Sequence, residues 1–293
     1  MRAVIIGATG QLGQEFCRRW PGHVIPLGRE QCDLTWDLAT ISAALERQIN
    51  DPSEEVICIN CAAYNFVDRA ESEPQAAFAV NAWGVQKLAA ACRQLNWPLV
   101  HVSTDYVFGL DAVARPLEEE DPPGPVNLYG LSKLMGEYLT RQVLDQRVLI
   151  IRTCGLYGRW GQGGKGRNFV ETMFQLAQQG QPLRVVADQR CTPSYAADVA
   201  QTIIHLIQHQ ANGIYHVVNS GECSWFEFAQ EIFRMTGQSP RLIPISSVEY
   251  PAAARRPSYS VLATHKLQRL GVPPLRPWNE ALAAYLRERS MQT

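Results

Sequence analysis

The sequence predicts an α/β protein: a doubly wound parallel sheet of Rossmann type, with a smaller C-terminal substrate-binding region. Three observations carry that prediction. Short, nearly unbroken apolar runs such as "AVII", "EVICINC" and "PLVHVST" alternate with segments of helical periodicity. That is the pattern of parallel strands buried on both faces and joined by helices. A glycine-spaced turn, "GATGQLG", stands between the first apolar run and the first helix, and the last third mixes helices with short strands before an arginine- and proline-rich tail.

Taken in order, the elements are the strand "AVII", the helix "QLGQEFCRRW", the strand "HVIPL", the helix "DLATISAALERQI", the strand "EVICINC", the long helix "PQAAFAVNAWGVQKLAAACRQL" and the strand "PLVHVST". A loop rich in acids and proline, "LEEEDPPGPVN", leads to the helix "NLYGLSKLMGEYL" and the strand "RVLIIRTCGLYG". Six β-α steps are thus expected by about residue 158, wound by right-handed crossovers. The stretch "GRWGQGGKGRN" has no strand before it, so it is expected to be a mobile loop near the site rather than a phosphate loop. Helices at "FVETMFQLAQQ", "YAADVAQTIIHLIQH" and "SWFEFAQEIFRMTG" alternate with strands at "LRVV" and "GIYHVVN". The expected division gives residues 1–151 and 186–218 to a dinucleotide-binding domain, and 152–185 and 219–293 to a substrate-binding region. Ligands bind in clefts between such parts.

Composition excludes several classes of function. The chain has 293 residues, 46% hydrophobic and 19% charged, which suits one large folded domain or two closely joined ones. Twenty-seven basic and 28 acidic residues leave a formal charge of -1, so no overall field recruits nucleic acid or an anionic membrane. No run of 18 apolar residues occurs, and "MRAVIIGATG" passes straight into glycines, unlike a signal peptide; a cytoplasmic protein is expected. The eight cysteines are scattered through apolar segments, as buried thiols in a reducing compartment would be. Cys58 and Cys61, in "CINC", fall in a strand, where residues three apart face opposite ways, and no thiol or histidine pair completes a metal site.

"GATGQLG" supplies Gly7, Gly10 and Gly13. Glycines let such a turn close and let a pyrophosphate approach the backbone, while the helix N-terminus offers free N–H groups and a partial positive charge. At the end of the second strand, "PLGRE" places Arg29 where a 2′-phosphate could be neutralised, which favours NADPH; Glu30 beside it keeps NADH open. Asp33 and Leu34, in "CDL", lie at a turn that could hold the adenine, though an Asp there is equally a solvated surface residue.

Tyr129 and Lys133 stand four residues apart, on one face of their helix. Hydride transfer to a carbonyl needs a proton donor, and a phenol near pKa 10 serves better when a neighbouring lysine lowers it. "VSTDYVFG" supplies a hydroxyl, Ser103 or Thr104, at the C-terminal end of a central strand, the edge where open α/β sheets bind ligands. The glycine turn, the hydroxyl and the phenol-amine pair therefore converge on one place.

Through "GATGQLG", "STDYVF" and Y-x-x-x-K the sequence resembles the extended short-chain dehydrogenase/reductase family. The ordered set "NCAAYNFVDRAESEP", "VNAWG", "YGLSKLMGE", "DQRCTPSYAADVA" and "RRPSYSVL" resembles its dTDP-4-dehydrorhamnose reductase branch along nearly the whole chain. That resemblance implies roles. Thr104 would bind the substrate carbonyl, Tyr129 would donate the proton, and Lys133 would tune Tyr129 and grip the nicotinamide ribose. Asp105 and Tyr106 would line the sugar pocket. Gly7, Thr9, Gly10, Gln11, Leu12, Gly13, Ala62, Ala63, Tyr64 and Ser103 would contact the dinucleotide. Arg152, Asn168 and Arg256 would hold the diphosphate or base of a nucleotide sugar, although a surface salt bridge explains Arg256 and a helix cap explains Asn168 as well.

One departure stands out. Where the branch carries an aromatic residue after a strand, as in "RTSWVYG", this chain reads "RTCGLYG", with Gly155 in that position. Either Trp160 replaces the missing ring, or the pocket takes a different 4-keto nucleotide sugar or a smaller carbonyl compound. Glu15 matches one of the acids by which some relatives dimerise around a divalent ion, but "SYAADVA" lacks the expected glutamate, so no metal is expected. The expected partner is a nucleotide sugar, and the expected state is a monomer or homodimer. The branch also resembles the regulatory subunit of methionine adenosyltransferase, which binds a dinucleotide without needing the intact Thr104, Tyr129 and Lys133.

Overall fold

The computed structural model describes residues 1–49, 54–110, 115–160 and 168–291. Its centre is a sheet of six strands: β1 (Arg2–Ile6), β2 (Val24–Leu27), β3 (Val56–Asn60), β4 (Leu99–Thr104), β5 (Val148–Thr153) and β6 (Gly213–His216). They lie in the order β2-β1-β3-β4-β5-β6, and every pairing is parallel. The winding reverses between β1 and β3, the position at which open α/β sheets leave a ligand crevice.

Eight longer helices accompany the sheet: α1 (Gln11–Arg19), α2 (Leu38–Glu46), α3 (Val85–Gln94), α4 (Leu128–Leu144), α5 (Phe169–Gln178), α6 (Ala196–Gln208), α7 (Trp225–Met235) and α8 (Trp278–Ser290). Alternation along the strands splits the core in two. Ala3, Ile5, Ile57 and Ile59 pack with Leu12 and Phe16 of α1 and Val199 and Ile203 of α6. Val4, Ile6, Val56 and Cys58 turn the other way, onto Ile41 and Leu45 of α2 and Leu88 and Cys92 of α3. A third, aromatic cluster joins Tyr157, Phe174, Phe228 and Tyr285 in the C-terminal region.

Several sequence expectations are corrected in detail. Among the described residues five strands precede residue 154, and the sheet takes its sixth from Gly213–His216. The strand expected at "LRVV" is present as Leu183–Val186; it pairs with Leu242–Ile245, outside the main sheet. The long helix after β3 contains a π-helical segment, Ala79–Gly84, that aims Asn81 into the interior. Most of the expected mobile loop, residues 161–167, lies outside the described residues. All eight cysteines are free, no described helix is long and apolar enough to cross a membrane, and no metal-binding group occurs among the described residues.

Candidate active site

The glycine turn closes against the loop after β3. Gly7 has φ +74, and a Cβ there would lie 2.6 Å from the backbone nitrogen of Ala62. Only glycine fits that conformation and that approach. Gly10 begins α1 with no side-chain cap, so the first-turn N–H groups face the turn as a ready anion site, and a Cβ on Gly13 would overlap the Gly7 carbonyl. Thr9 is exposed beside them, Gln11 is half-buried, and Leu12 is in the core. Ala62 N–H donates to Asn60 Oδ1 at 3.0 Å and Tyr64 N–H to Asn81 Oδ1 at 2.8 Å, which holds Ala62, Ala63 and Tyr64 next to the turn. These features fit a dinucleotide pyrophosphate.

Arg29 is 82% exposed after β2 and donates to Asp33 Oδ2 at 2.8 Å. Asp33 also accepts from the backbone and hydroxyl of Thr35. Leu34 lies in the turn that follows Asp33, with its side chain in the core beneath Gly84.

Thr104 ends β4, and its hydroxyl donates to Asp105 Oδ1 at 3.1 Å while accepting from Tyr106 N–H. Tyr129 sits in the first turn of α4, whose N-cap is Asn127, and its ring meets Tyr106 edge-on at 6.0 Å. Burial pushes the Tyr129 phenol up to about 12, with its hydrogen-bonding contact with Thr104 pulling the other way. This corrects the expectation that Lys133 lowers it. Lys133 is 1% exposed and gives its ammonium to the carbonyl of Val102 at 2.7 Å. Burial brings Lys133 down to about 8, against the pull of the Glu137 carboxylate.

Beneath this pair lies a polar layer that motif reading missed. Asn81, fully buried, also donates to Tyr64 O at 2.9 Å and to Ser132 Oγ at 3.0 Å, and Ser132 donates to Tyr129 O at 2.7 Å. One amide thus ties the dinucleotide loop to the helix of the phenol. An asparagine inside the apolar run "AVNAWG" was the signal available. Ser103, expected at the cofactor, instead donates to Glu137 Oε1. Arg152, expected at a diphosphate, is 3% exposed and bound to the same carboxylate at 2.8 Å. The register of β4 on β5 sets Ser103 beside Arg152, so both turn to one buried acid rather than to a ligand.

The C-terminal region folds over this edge. Asp105 is 2% exposed and accepts from Ser260 at 2.7 Å; it braces the site from below, where the sequence reading had it lining the sugar pocket. Asn127 donates to the carbonyl of Arg255 at 2.8 Å, while Arg256 forks onto Asp68 at 2.7 and 3.0 Å. Asn168 caps α5 through Glu171 N–H and reaches Gln11 Oε1 at 3.4 Å, so the cap also touches the glycine turn. Trp160 carries Arg159 over its ring at 4.4 Å. A cavity of about 720 Å³ bordered by Arg190, Glu227, Arg234 and Trp278 includes none of the expected site residues, and both its arginines are already ion-paired, Arg190 to Glu222 and Glu227 and Arg234 to Glu231.

The family described as the RmlD substrate binding domain matches residues 1–291. A protein named dTDP-4-dehydrorhamnose reductase from Mycobacterium tuberculosis is 40% identical, with 97% of this chain and 92% of that protein covered. The spore coat polysaccharide biosynthesis protein SpsK of Bacillus subtilis is 38% identical over 99% of this chain and 98% of its own. A crystal structure titled dTDP-4-dehydrorhamnose reductase from Bacillus anthracis, in complex with NADP, superposes with a TM-score of 0.90 at 36% identity, covering 98% of this chain and 99% of that one. The chain belongs to the RmlD substrate binding domain family, together with the dTDP-4-dehydrorhamnose reductases it matches over almost its whole length.

Proposed function

We propose that the protein is an NADPH-dependent reductase of the C4 keto group of a nucleoside-diphosphate deoxyhexose, turning dTDP-4-dehydro-L-rhamnose into dTDP-L-rhamnose. The observation that carries the reading is the convergence of Thr104, at the end of β4, with Tyr129 and Lys133 on α4, beside the glycine turn. Relatives named for this reaction, and one crystallised with NADP, support the substrate and the cofactor.

When bound, NADPH supplies the hydride. The glycine turn from Gly7 to Gly13, with Ala62 to Tyr64, holds its pyrophosphate side, and Arg29 offers a guanidinium to the 2′-phosphate. Thr104 and Tyr129 grip the substrate carbonyl. A phenol pushed up to about 12 is fully protonated at neutral pH, and the alkoxide left by reduction is basic enough to take its proton. Lys133, once freed from Val102 O, binds the nicotinamide ribose. Asn168 and Arg256 remain candidates for the nucleotide end of the sugar. We also propose that residues 1–151 and 186–218 serve the dinucleotide and 152–185 and 219–293 the substrate, in a cytoplasmic monomer or homodimer; eight free thiols support a reducing compartment.

The test follows NADPH oxidation with dTDP-4-dehydro-L-rhamnose. Turnover to dTDP-L-rhamnose is expected, and absence of turnover in a protein that still binds NADPH would overturn the reading.

A further inference from the structure

We propose that Ser260, in the stretch "RRPSYSVL", is a positioning residue for the carbonyl reduction: its hydroxyl holds the buried carboxylate of Asp105 and so leaves the hydroxyl of Thr104 free to turn to the substrate oxygen. The proposal rests on the reductase reading above. A hydroxyl has one proton to donate. Thr104 gives its proton to Asp105 Oδ1 at 3.1 Å, and it cannot serve that oxygen and a carbonyl oxygen at once. When Thr104 turns to the substrate, Asp105 loses a donor.

That loss matters because Asp105 is 2% exposed, and a carboxylate so buried is costly unless other hydrogen bonds remain to it. Ser260 supplies the strongest of them. It donates to the other oxygen, Oδ2, at 2.7 Å, the usual length for a hydroxyl bond, whereas the bond from Thr104 is long. Burial pushes the Asp105 carboxyl up, and of the groups that draw it back down Ser260 acts most, ahead of the Cys154 thiol and Thr104. Thr104 is therefore the donor that the acid can spare, and Ser260 the one that stays.

The backbone around Ser260 is clamped on both sides. Arg190 N–H donates to Ser258 O, and Ser260 N–H donates to Arg190 O, each at 2.9 Å. Leu117 N–H donates to Val261 O at 2.8 Å, and Ala263 N–H returns to Leu117 O at 2.7 Å. Ser260 is buried beside Val261 and Leu262, so its hydroxyl meets the carboxylate in an apolar setting that strengthens the bond. Thr104 is anchored by accepting from Tyr106 N–H at 3.2 Å, which leaves the direction of its proton free to change. The C-terminal region thus reaches the reacting hydroxyl through a single shared acid.

The experiment reads steady-state kcat and KM with dTDP-4-dehydro-L-rhamnose, together with calorimetric affinity for NADPH. It compares wild type with Ser260→Ala and Ser260→Cys, and Asp105→Asn with Asp105→Asn/Ser260→Ala. Without the serine hydroxyl, the anion draws on Thr104 and withholds it from the substrate. Ser260→Ala is therefore expected to lower kcat by about tenfold or more, the scale of a hydrogen bond to a charged group, with KM and NADPH affinity little changed. Ser260→Cys, similar in shape but a weak donor, falls between serine and alanine. Asp105→Asn leaves no charge to satisfy, so removing Ser260 from that background changes kcat by less than about twofold. The cysteine variant and the asparagine background report even if Ser260→Ala does not fold. Wild-type kcat in Ser260→Ala or Ser260→Cys overturns the proposal. So does a loss that persists in the asparagine background, or one matched by weaker NADPH binding, either of which would make the serine a packing residue. A wild type that binds NADPH without turnover removes the reductase reading and this proposal together; an active wild type with indifferent variants removes this one alone.

Discussion

Glu137 and Arg152 form a buried ion pair at 2.8 Å, one helical turn beyond Lys133, and it locks α4 onto β5. Ser103 completes the shell of the carboxylate, and Arg152 also lies over the Phe108 ring at 5.0 Å. Removing one partner leaves the other charged in an interior that cannot solvate it. Glu137→Gln or Arg152→Met is therefore expected to destabilise the protein by roughly 3 kcal/mol, whereas the apolar double variant Glu137→Leu/Arg152→Met recovers most of that loss. Urea unfolding midpoints check this, and single variants that unfold with the wild type would show that water reaches the pair.

Tyr129→Phe tests the proton donor. The ring contact with Tyr106 survives the change, so the fold and the cofactor affinity should too. The expected effect is a fall in kcat of about 100-fold or more with KM within a few-fold, the range for loss of a general acid. Full-rate turnover by the phenylalanine variant would assign the proton to another group.

The contrast between α4 and β5 shows what the sequence disclosed and what it withheld. Tyr129 and Lys133 were legible because helical spacing is local, and Gly7 because a turn between a strand and a helix is local too. Arg152 was misread because a guanidinium suits a phosphate and a carboxylate equally, and only the register of β4 on β5, with α4 packed across it, brings Glu137 to it. Ser260 could not be foreseen beneath Asp105, 155 residues away in the chain. The direction of the Tyr129 shift was missed for a related reason. Spacing places the lysine on the same face, but burial, which spacing does not encode, dominates the phenol.

Lys133 makes stability depend on pH. Its folded value, about 8, lies below its ordinary 10.5, so between these limits the unfolded chain binds more protons than the folded one. Stability must then rise with pH across that window, by roughly 3 kcal/mol in total, because the buried ammonium penalises the fold only while it is protonated. Lys133→Met should abolish this rise. The difference in unfolding free energy between the two proteins, measured from pH 7 to 10, isolates it from other titrations; parallel curves would mean that the ammonium is not desolvated. Activity should move the opposite way, falling above about pH 8 as the ribose loses its cation.

Cofactor choice turns on Arg29, which at 82% exposure is free to swing from its contact with Asp33 to a 2′-phosphate. A charge-assisted contact of that kind contributes about 1.5–3 kcal/mol, or roughly ten- to a hundredfold in affinity. Arg29→Ala is therefore expected to weaken NADPH by that factor while leaving NADH nearly unchanged. Asp33→Asn should do the reverse for NADPH, tightening it modestly by releasing the guanidinium from a competing carboxylate. Calorimetric titration of both cofactors against wild type and the two variants distinguishes the outcomes. Equal losses of NADPH and NADH in Arg29→Ala would show that the guanidinium supports the turn after β2 without reading the phosphate.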